Sequence, residues 1–179
     1  MLTSKHYILE AYMTFKRKYK KSKSEGKISH HVTTVDGIKF DSEMESKYYK
    51  YLLELKKQGI VKEFTLQPNF LLQEKFINLN GDIILGSNKD FEKIKRKNKL
   101  ETISAINYIS DFDVIYTDGH REIIDIKGLE TPEFRLKLKL FKYKYPELNI
   151  RLLILYKNEW IDLKDYKKLK SKGKTKQKT

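Results

Sequence analysis

The residues best suited to do chemistry lie in one stretch, Tyr108–Gly128, which reads Tyr-Ile-Ser-Asp-Phe-Asp-Val-Ile-Tyr-Thr-Asp-Gly-His-Arg-Glu-Ile-Ile-Asp-Ile-Lys-Gly. β-Branched and aromatic residues flank Asp118-Gly119, which predicts two strands around a turn. Aspartate is depleted inside strands and is rarely buried unless it is paired or bound to metal. Yet Asp111 falls in the first predicted strand and Asp125 in the second, with Lys127 two residues on. Side chains at i and i+2 share a strand face, so Asp125 and Lys127 point the same way. Two acids and a lysine converging on one sheet face predict a site for a hard divalent cation. Mg²⁺ takes one or two carboxylates and keeps places for water and a phosphate oxygen. Lys127 would hold or deprotonate an attacking water, or offset charge on a phosphate.

Convergence sets a condition on the hairpin. Partners across an antiparallel pair share a face, so Asp111 and Asp125 meet only if paired residue numbers sum to an even value. A two-residue Asp118-Gly119 turn gives an odd sum and separates them. An odd-length loop such as Asp118–His120, or a bulge, is therefore expected. In the first case Asp111 would lie opposite Lys127 and Asp113 opposite Asp125.

The elements that must position these residues can be read along the chain. Residues 4–21 carry Ile8, Tyr12, Phe15 and Tyr19 at helical spacing and lead into a basic linker. Val32–Val35 and Ile38–Phe40 flank Asp36-Gly37 as a short hairpin. Ser42 to about Gln58 reads as a helix that buries Met44, Tyr48, Tyr51, Leu52 and Leu55 and stops at Gly59. Val61–Phe64 and Leu66–Leu72 read as strands, the second an edge or bulged strand because Pro68 has no N–H to donate. Residues 78–100 carry little signal beyond an Asn80-Gly81 turn. Thr131-Pro132-Glu133 starts a helix, and the cap favours helix over strand for Phe134–Tyr145. Asn149–Tyr156 reads as an internal strand, and Trp160 and Tyr166 as part of a short last helix. The order predicts a mixed sheet with helices against it, an α+β domain. Domain limits follow: residues 1–27 a basic helix and linker, 28–166 the core with an insertion at about 78–100, and 167–179 a basic tail without order.

Composition narrows the partners. At 179 residues the chain can bury a core, although hydrophobic residues are only 39% and charged residues reach 35%. Its 12 Tyr and 9 Phe partly offset that deficit. A formal charge of +14 points to a polyanion, nucleic acid first. Leu152–Leu155 is only strand-sized, so no apolar run predicts a membrane span. The N-terminus shows no signal-peptide pattern, and zero cysteines rule out disulfides and thiolate metal sites, which fits a cytoplasmic protein.

Taken together, Phe40-Asp-Ser-Glu-Met-Glu45, Gln67-Pro68, Tyr108-Ile-Ser-Asp-Phe112 and Asp125-Ile-Lys127-Gly128 resemble the PD-(D/E)XK nuclease superfamily. The match runs from Asp36 to about Tyr156. It is similar in particular to a small phage-encoded branch with relatives among Holliday-junction resolvases and a transposase endonuclease subunit. The resemblance implies a restriction-endonuclease-like mixed sheet and a Mg²⁺- or Mn²⁺-dependent endodeoxyribonuclease leaving 5′-phosphate and 3′-hydroxyl ends. It implies branched DNA as substrate, a homodimer, and the infected host cell's cytoplasm as location. Asp111 and Asp125 would ligate metal, helped by the Ile126 carbonyl. Lys127 would be the catalytic lysine, Glu45 the helix acid, and Lys137, Lys139 or Lys142 phosphate contacts. Ser110 departs from the pattern, which has proline there.

Structural readings stand beside these. Glu45 lies three residues after Ser42, a capping-box spacing, and Glu43 is a rival for the helix acid. Asp113 is a second candidate ligand, and Asp125-x-Lys127 also fits a plain salt-bridged pair such as any exposed strand carries. Gln67 is equally an edge-strand glutamine, and His30, His31 and His120 show no ligand spacing. The functional rival is a catalytically silent DNA-binding protein; RNA cleavage lacks a stacking pattern to support it.

Overall fold

The computed structural model describes residues 33–127 and 130–175. The helix predicted for residues 4–21 and the residues after Thr175 lie outside them. Fifteen elements follow one another: β1 (Thr33–Val35), β2 (Ile38–Phe40), α1 (Glu43–Lys57), β3 (Val61–Leu66), β4 (Asn69–Gln73), β5 (Phe76–Leu79), β6 (Asp82–Leu85), α2 (Phe91–Asn98), β7 (Ile106–Ile109), β8 (Phe112–Tyr116), β9 (Arg121–Ile126), α3 (Pro132–Lys144), β10 (Asn149–Tyr156), β11 (Glu159–Asp162) and α4 (Leu163–Thr175). The protein is α+β. Among the described residues no helix is long and apolar enough to cross a membrane.

The chain forms two compact units where the sequence predicts one core. The first holds β1–β3, α1, β8, β9, β10, β11 and α4. Its five-stranded sheet has the order β11-β10-β9-β8-β3, antiparallel except for the parallel β9–β10 pair. α1 forms for local reasons. Ser42 caps it by accepting the Glu45 N–H at 3.2 Å. Tyr48, Tyr51, Leu52 and Leu55 recur at three- and four-residue spacing, and all are buried. At its end Gly59, at φ +71°, lets its N–H reach Lys56 O and the Ile60 N–H reach Leu55 O, closing a Schellman motif. That buried stripe packs on Phe112, Val114 and Tyr116 of β8, Ile124 and Ile126 of β9, Leu153 of β10 and Val61 of β3. Each such apolar side chain contributes roughly 1.5–3 kcal/mol on burial. The first unit also contains an acid in its core. Glu122 accepts from the Tyr116 hydroxyl at 3.0 Å and from Asn149 at 3.2 Å, and Arg151 bridges it to Asp162.

The second unit, Asn69–Ile109 with Thr131–Glu147, contains β4 paired with β7, the β5–β6 hairpin, α2 and α3. Thr131 caps α3 by accepting the Phe134 N–H at 3.1 Å, and Pro132 opens it, as the sequence predicts. Phe141 is its fully buried anchor, with the rings of Phe70 and Tyr108 at 4.9 and 5.2 Å.

Several expectations need correction. The weakly patterned 78–100 stretch is ordered: β5 and β6 close around Asn80-Gly81, and α2 buries Phe91. Pro68 lies between β3 and β4 and interrupts no strand. Trp160 belongs to β11, paired with Leu155, and the last helix starts only at Leu163. The tail expected to lack order from Lys167 is helical through Thr175, because Tyr166 packs on Tyr156, with ring centroids 5.2 Å apart. Lysine itself is a good helix former.

Candidate metal centre

β8 and β9 pair as Phe112↔Ile124, Asp113↔Ile123, Val114↔Glu122 and Ile115↔Arg121, an even-sum register. The Tyr116 N–H reaches the His120 carbonyl at 2.9 Å, leaving the odd loop Thr117–Gly119 between them. The parity condition is met, but one step earlier than the Asp118–His120 loop allows. Asp113 therefore faces Ile123, not Asp125. Asp111 is also not a strand residue: it lies at the break between β7 and β8. Its N–H donates to the Ile124 carbonyl at 3.1 Å, although Ile124 is already the partner of Phe112. Two residues against one make a bulge, the device that re-aims a side chain at a strand end.

Asp111 is consequently held by backbone on three sides. Its carbonyl accepts the Gln67 N–H at 2.9 Å, its own N–H is bound to Ile124, and its carboxylate accepts the Ile126 N–H at 2.5 Å. Gln67 manages this at φ +46°, a left-handed conformation that a non-glycine residue adopts at a cost of roughly 1–2 kcal/mol. Ser110 adds an N–H to the Pro68 carbonyl at 3.3 Å, a bond that proline could not make. This is what the chain gains where the resembled pattern has proline.

Asp125 is fully buried on β9, and Lys127 reaches its Oδ1 with Nζ at 2.7 Å. The lysine is a quarter exposed, so it joins a buried carboxylate to solvent. Its N–H is fixed to the Leu153 carbonyl at 2.8 Å. Burial, then the neighbouring Asp125 charge, push the Asp111 carboxyl up to about 8; Glu45 raises it further, while the Ile126 N–H and Lys127 pull it down. Glu45, Asp125 and Lys127 are thus each within electrostatic reach of Asp111.

Glu45 is also committed locally. It accepts from the Ser42 hydroxyl at 2.7 Å and from the Asp41 N–H at 3.2 Å, a variant of the capping box whose return bond comes from Asp41 rather than from the Ser42 N–H. Glu43 is half-exposed and ion-paired with Lys47 at 2.8 Å. Asp113 is gripped by both arms of Arg121 at 2.8 and 2.6 Å, which removes it as a ligand candidate. Lys137 pairs with Glu133 at 2.8 Å, while Lys139 and Lys142 are exposed on α3. His120 lies over the Tyr116 ring at 4.0 Å with Nδ1 on Asp118 at 2.6 Å, a turn residue. His30 and His31 lie outside the described residues.

The donor set fits a hard cation at its minimum. Among the described residues no three His, Asp or Glu side chains are arranged to hold a metal, so the protein ligands would be two carboxylates. That suits Mg²⁺, which keeps several waters. In extended backbone the N–H and C=O of one residue leave the same edge. The Ile126 carbonyl therefore leaves β9 on the side where its N–H meets Asp111. Proximity of like charges, one buried and one half-buried, with one carboxyl forced toward its protonated form, is the electrostatic condition that a divalent cation relieves. Sequence reasoning offered a bulge as the alternative to an odd loop but did not place it at Asp111, and it missed the Gln67 backbone contact. The only signal was the Gln67-Pro68 dipeptide, in which proline restricts the preceding residue.

The described residues therefore define an α+β protein whose five-stranded mixed sheet carries two carboxylates and a lysine at one strand end. The chain belongs to the DUF1064 family, described as a protein of unknown function, which matches residues 16–160. No curated protein and no solved structure matched it.

Proposed function

We propose that this protein is a metal-dependent DNA endonuclease of the PD-(D/E)XK kind, acting on branched DNA as a homodimer in the cytoplasm, with Mg²⁺ or Mn²⁺ as cofactor. The observation that supports it best is the electrostatic pairing of the half-buried Asp111 with the fully buried Asp125, with Lys127 on the second acid. A protein that only binds DNA has no use for acids turned toward phosphate, which is why the silent-binder reading is second.

Asp111, Asp125 and the Ile126 carbonyl would hold the cation. When bound, such a cation polarises a phosphoryl oxygen and lowers the pKa of water. Lys127, positioned by Asp125, orients the attacking water and offsets negative charge that builds on the phosphate. The backbone bonds around Asp111 keep its carboxylate in place without reorganisation. Glu45 sets the local charge and caps α1. The chain's charge of +14 attracts the polyanion.

The test is cleavage of labelled duplex, single-stranded, flap and four-way-junction DNA with and without Mg²⁺. Wild type should cut the branched substrates, and Asp125→Asn should lose at least about a hundredfold in rate. Glu45→Gln preserves the capping box, so it should keep its stability while cutting more slowly if the Glu45 charge takes part. No cleavage of any substrate by a folded wild type would favour the silent binder. Equal rates in Asp125→Asn would remove this site from the chemistry.

A further inference from the structure

The outward face of α3 carries a pattern that the metal centre does not use. Phe141 and its ring partners occupy the inward side. Leu136, Lys139 and Tyr143 follow at i, i+3 and i+7 and so form another stripe. Tyr143 is 88% exposed and Leu136 59%, far more than a tyrosine or leucine packed for stability. The α3 cations divide in two groups. Lys137 is held by Glu133 and Lys144 by the Leu72 carbonyl, whereas Lys139, one turn before Tyr143, and Lys142, the residue preceding it, are exposed.

We propose that this face of α3 binds unpaired DNA bases, with Tyr143 as the stacking platform and Lys139 and Lys142 on the flanking phosphates. An exposed aromatic ring beside cations suits a single strand, whose bases offer a free π-face to any ring. A duplex hides those faces inside its own stack, so Tyr143 adds nothing there. Charge complementarity selects the occupant. α3 carries Arg135 and four lysines against the one acid, Glu133. Lysine is depleted from protein–protein interface cores, and a two-fold contact with a second copy would bring the same cations face to face. The inference extends the nuclease reading to junctions and flaps with single-stranded segments, but binding is measured without cation and stands apart from cleavage.

The experiment is fluorescence anisotropy of the full chain in EDTA, with a labelled oligo(dT) of about 20 nucleotides and a duplex of equal length. Tyr143→Ala should weaken single-strand binding by about five- to a hundredfold and change duplex binding by less than about twofold. Tyr143→Phe, which keeps a stacking ring, should bind like wild type. Single-strand affinity unchanged in Tyr143→Ala would overturn the proposal, as would an equal loss on both DNA forms. A Tyr143→Ala variant that becomes monomeric in sedimentation while its single-strand affinity is retained would assign the face to self-association instead. None of these outcomes depends on whether the metal centre cuts.

Discussion

Asp111 is the residue on which the site turns, and its protonation is the property most open to measurement. Burial and Asp125 raise its carboxyl from an ordinary 3.8 to about 8. The sign follows from proton counting: between those values the folded protein keeps a proton that the unfolded chain has lost. Stability from this group is therefore highest below the ordinary carboxylate range and falls as pH rises toward 8. Urea denaturation at pH about 5 and about 8 should show wild type losing more than Asp111→Asn does, by at least about 1 kcal/mol, the worth of one pKa unit. Equal losses in the two proteins would mean that Asp111 is ionised throughout. Glu45 shows a different lesson at the same scale. Its capping bonds were legible from Ser42-x-x-Glu45, whereas its charge near Asp111 was expected only from the family resemblance, because it depends on where the N-terminus of α1 lies relative to β8.

At the scale of elements, local signals were read correctly and long-range ones were not. α1 and α3 begin on the side chains of Ser42 and Thr131 next to their first turns, so their starts are written into adjacent sequence. The β8–β9 register is a different kind of quantity. Asp118-Gly119 marks the turn, but one residue more or less in the loop turns every side chain over. Gly119 sits at φ +89° with open space around its Cα, so a side chain would meet strain and no clash. Gly119→Ala should thus cost about 1–2 kcal/mol, read from the denaturation midpoint, with the even register kept. A neutral effect would show that the turn relaxes freely and that strand pairing alone fixes the register. The 78–100 stretch was underread because α2 is mostly charged and has a single buried anchor, Phe91, with Lys75 over its ring at 5.0 Å. That anchoring contact is tertiary.

For the whole molecule, the dominant property is charge. Thirty-eight basic residues against 24 acidic ones make binding to any polyanion sensitive to salt. Duplex affinity should fall roughly a thousandfold between about 50 and about 200 mM salt, as for six or so phosphate contacts. Anisotropy titrations check this, and a nearly flat dependence would refute a polyanion-binding role. The division of the chain into two compact units, crossed at residues 68–69, 109–110, 130–131 and 147–148, was not legible. The chain's three prolines, Pro68, Pro132 and Pro146, lie at or beside three of the four crossings, but single prolines also open helices and end strands, so they do not tell a unit boundary from an ordinary loop.

The sequence by itself determined the residue types and the local frames: acids inside predicted strands, the Asp125-x-Lys127 face, the helix caps, and a strongly cationic chain. Each depends on neighbours a few positions away, so one-dimensional spacing carries it. Only the tertiary structure decided that Asp111 leaves the strand in a bulge, that Arg121 claims Asp113, and that the half-buried Asp111 feels the charge of the buried Asp125. Those outcomes come from which backbone groups and charges meet across strands. That competition is settled when β3, β8 and β9 pair, and no spacing along the chain encodes it.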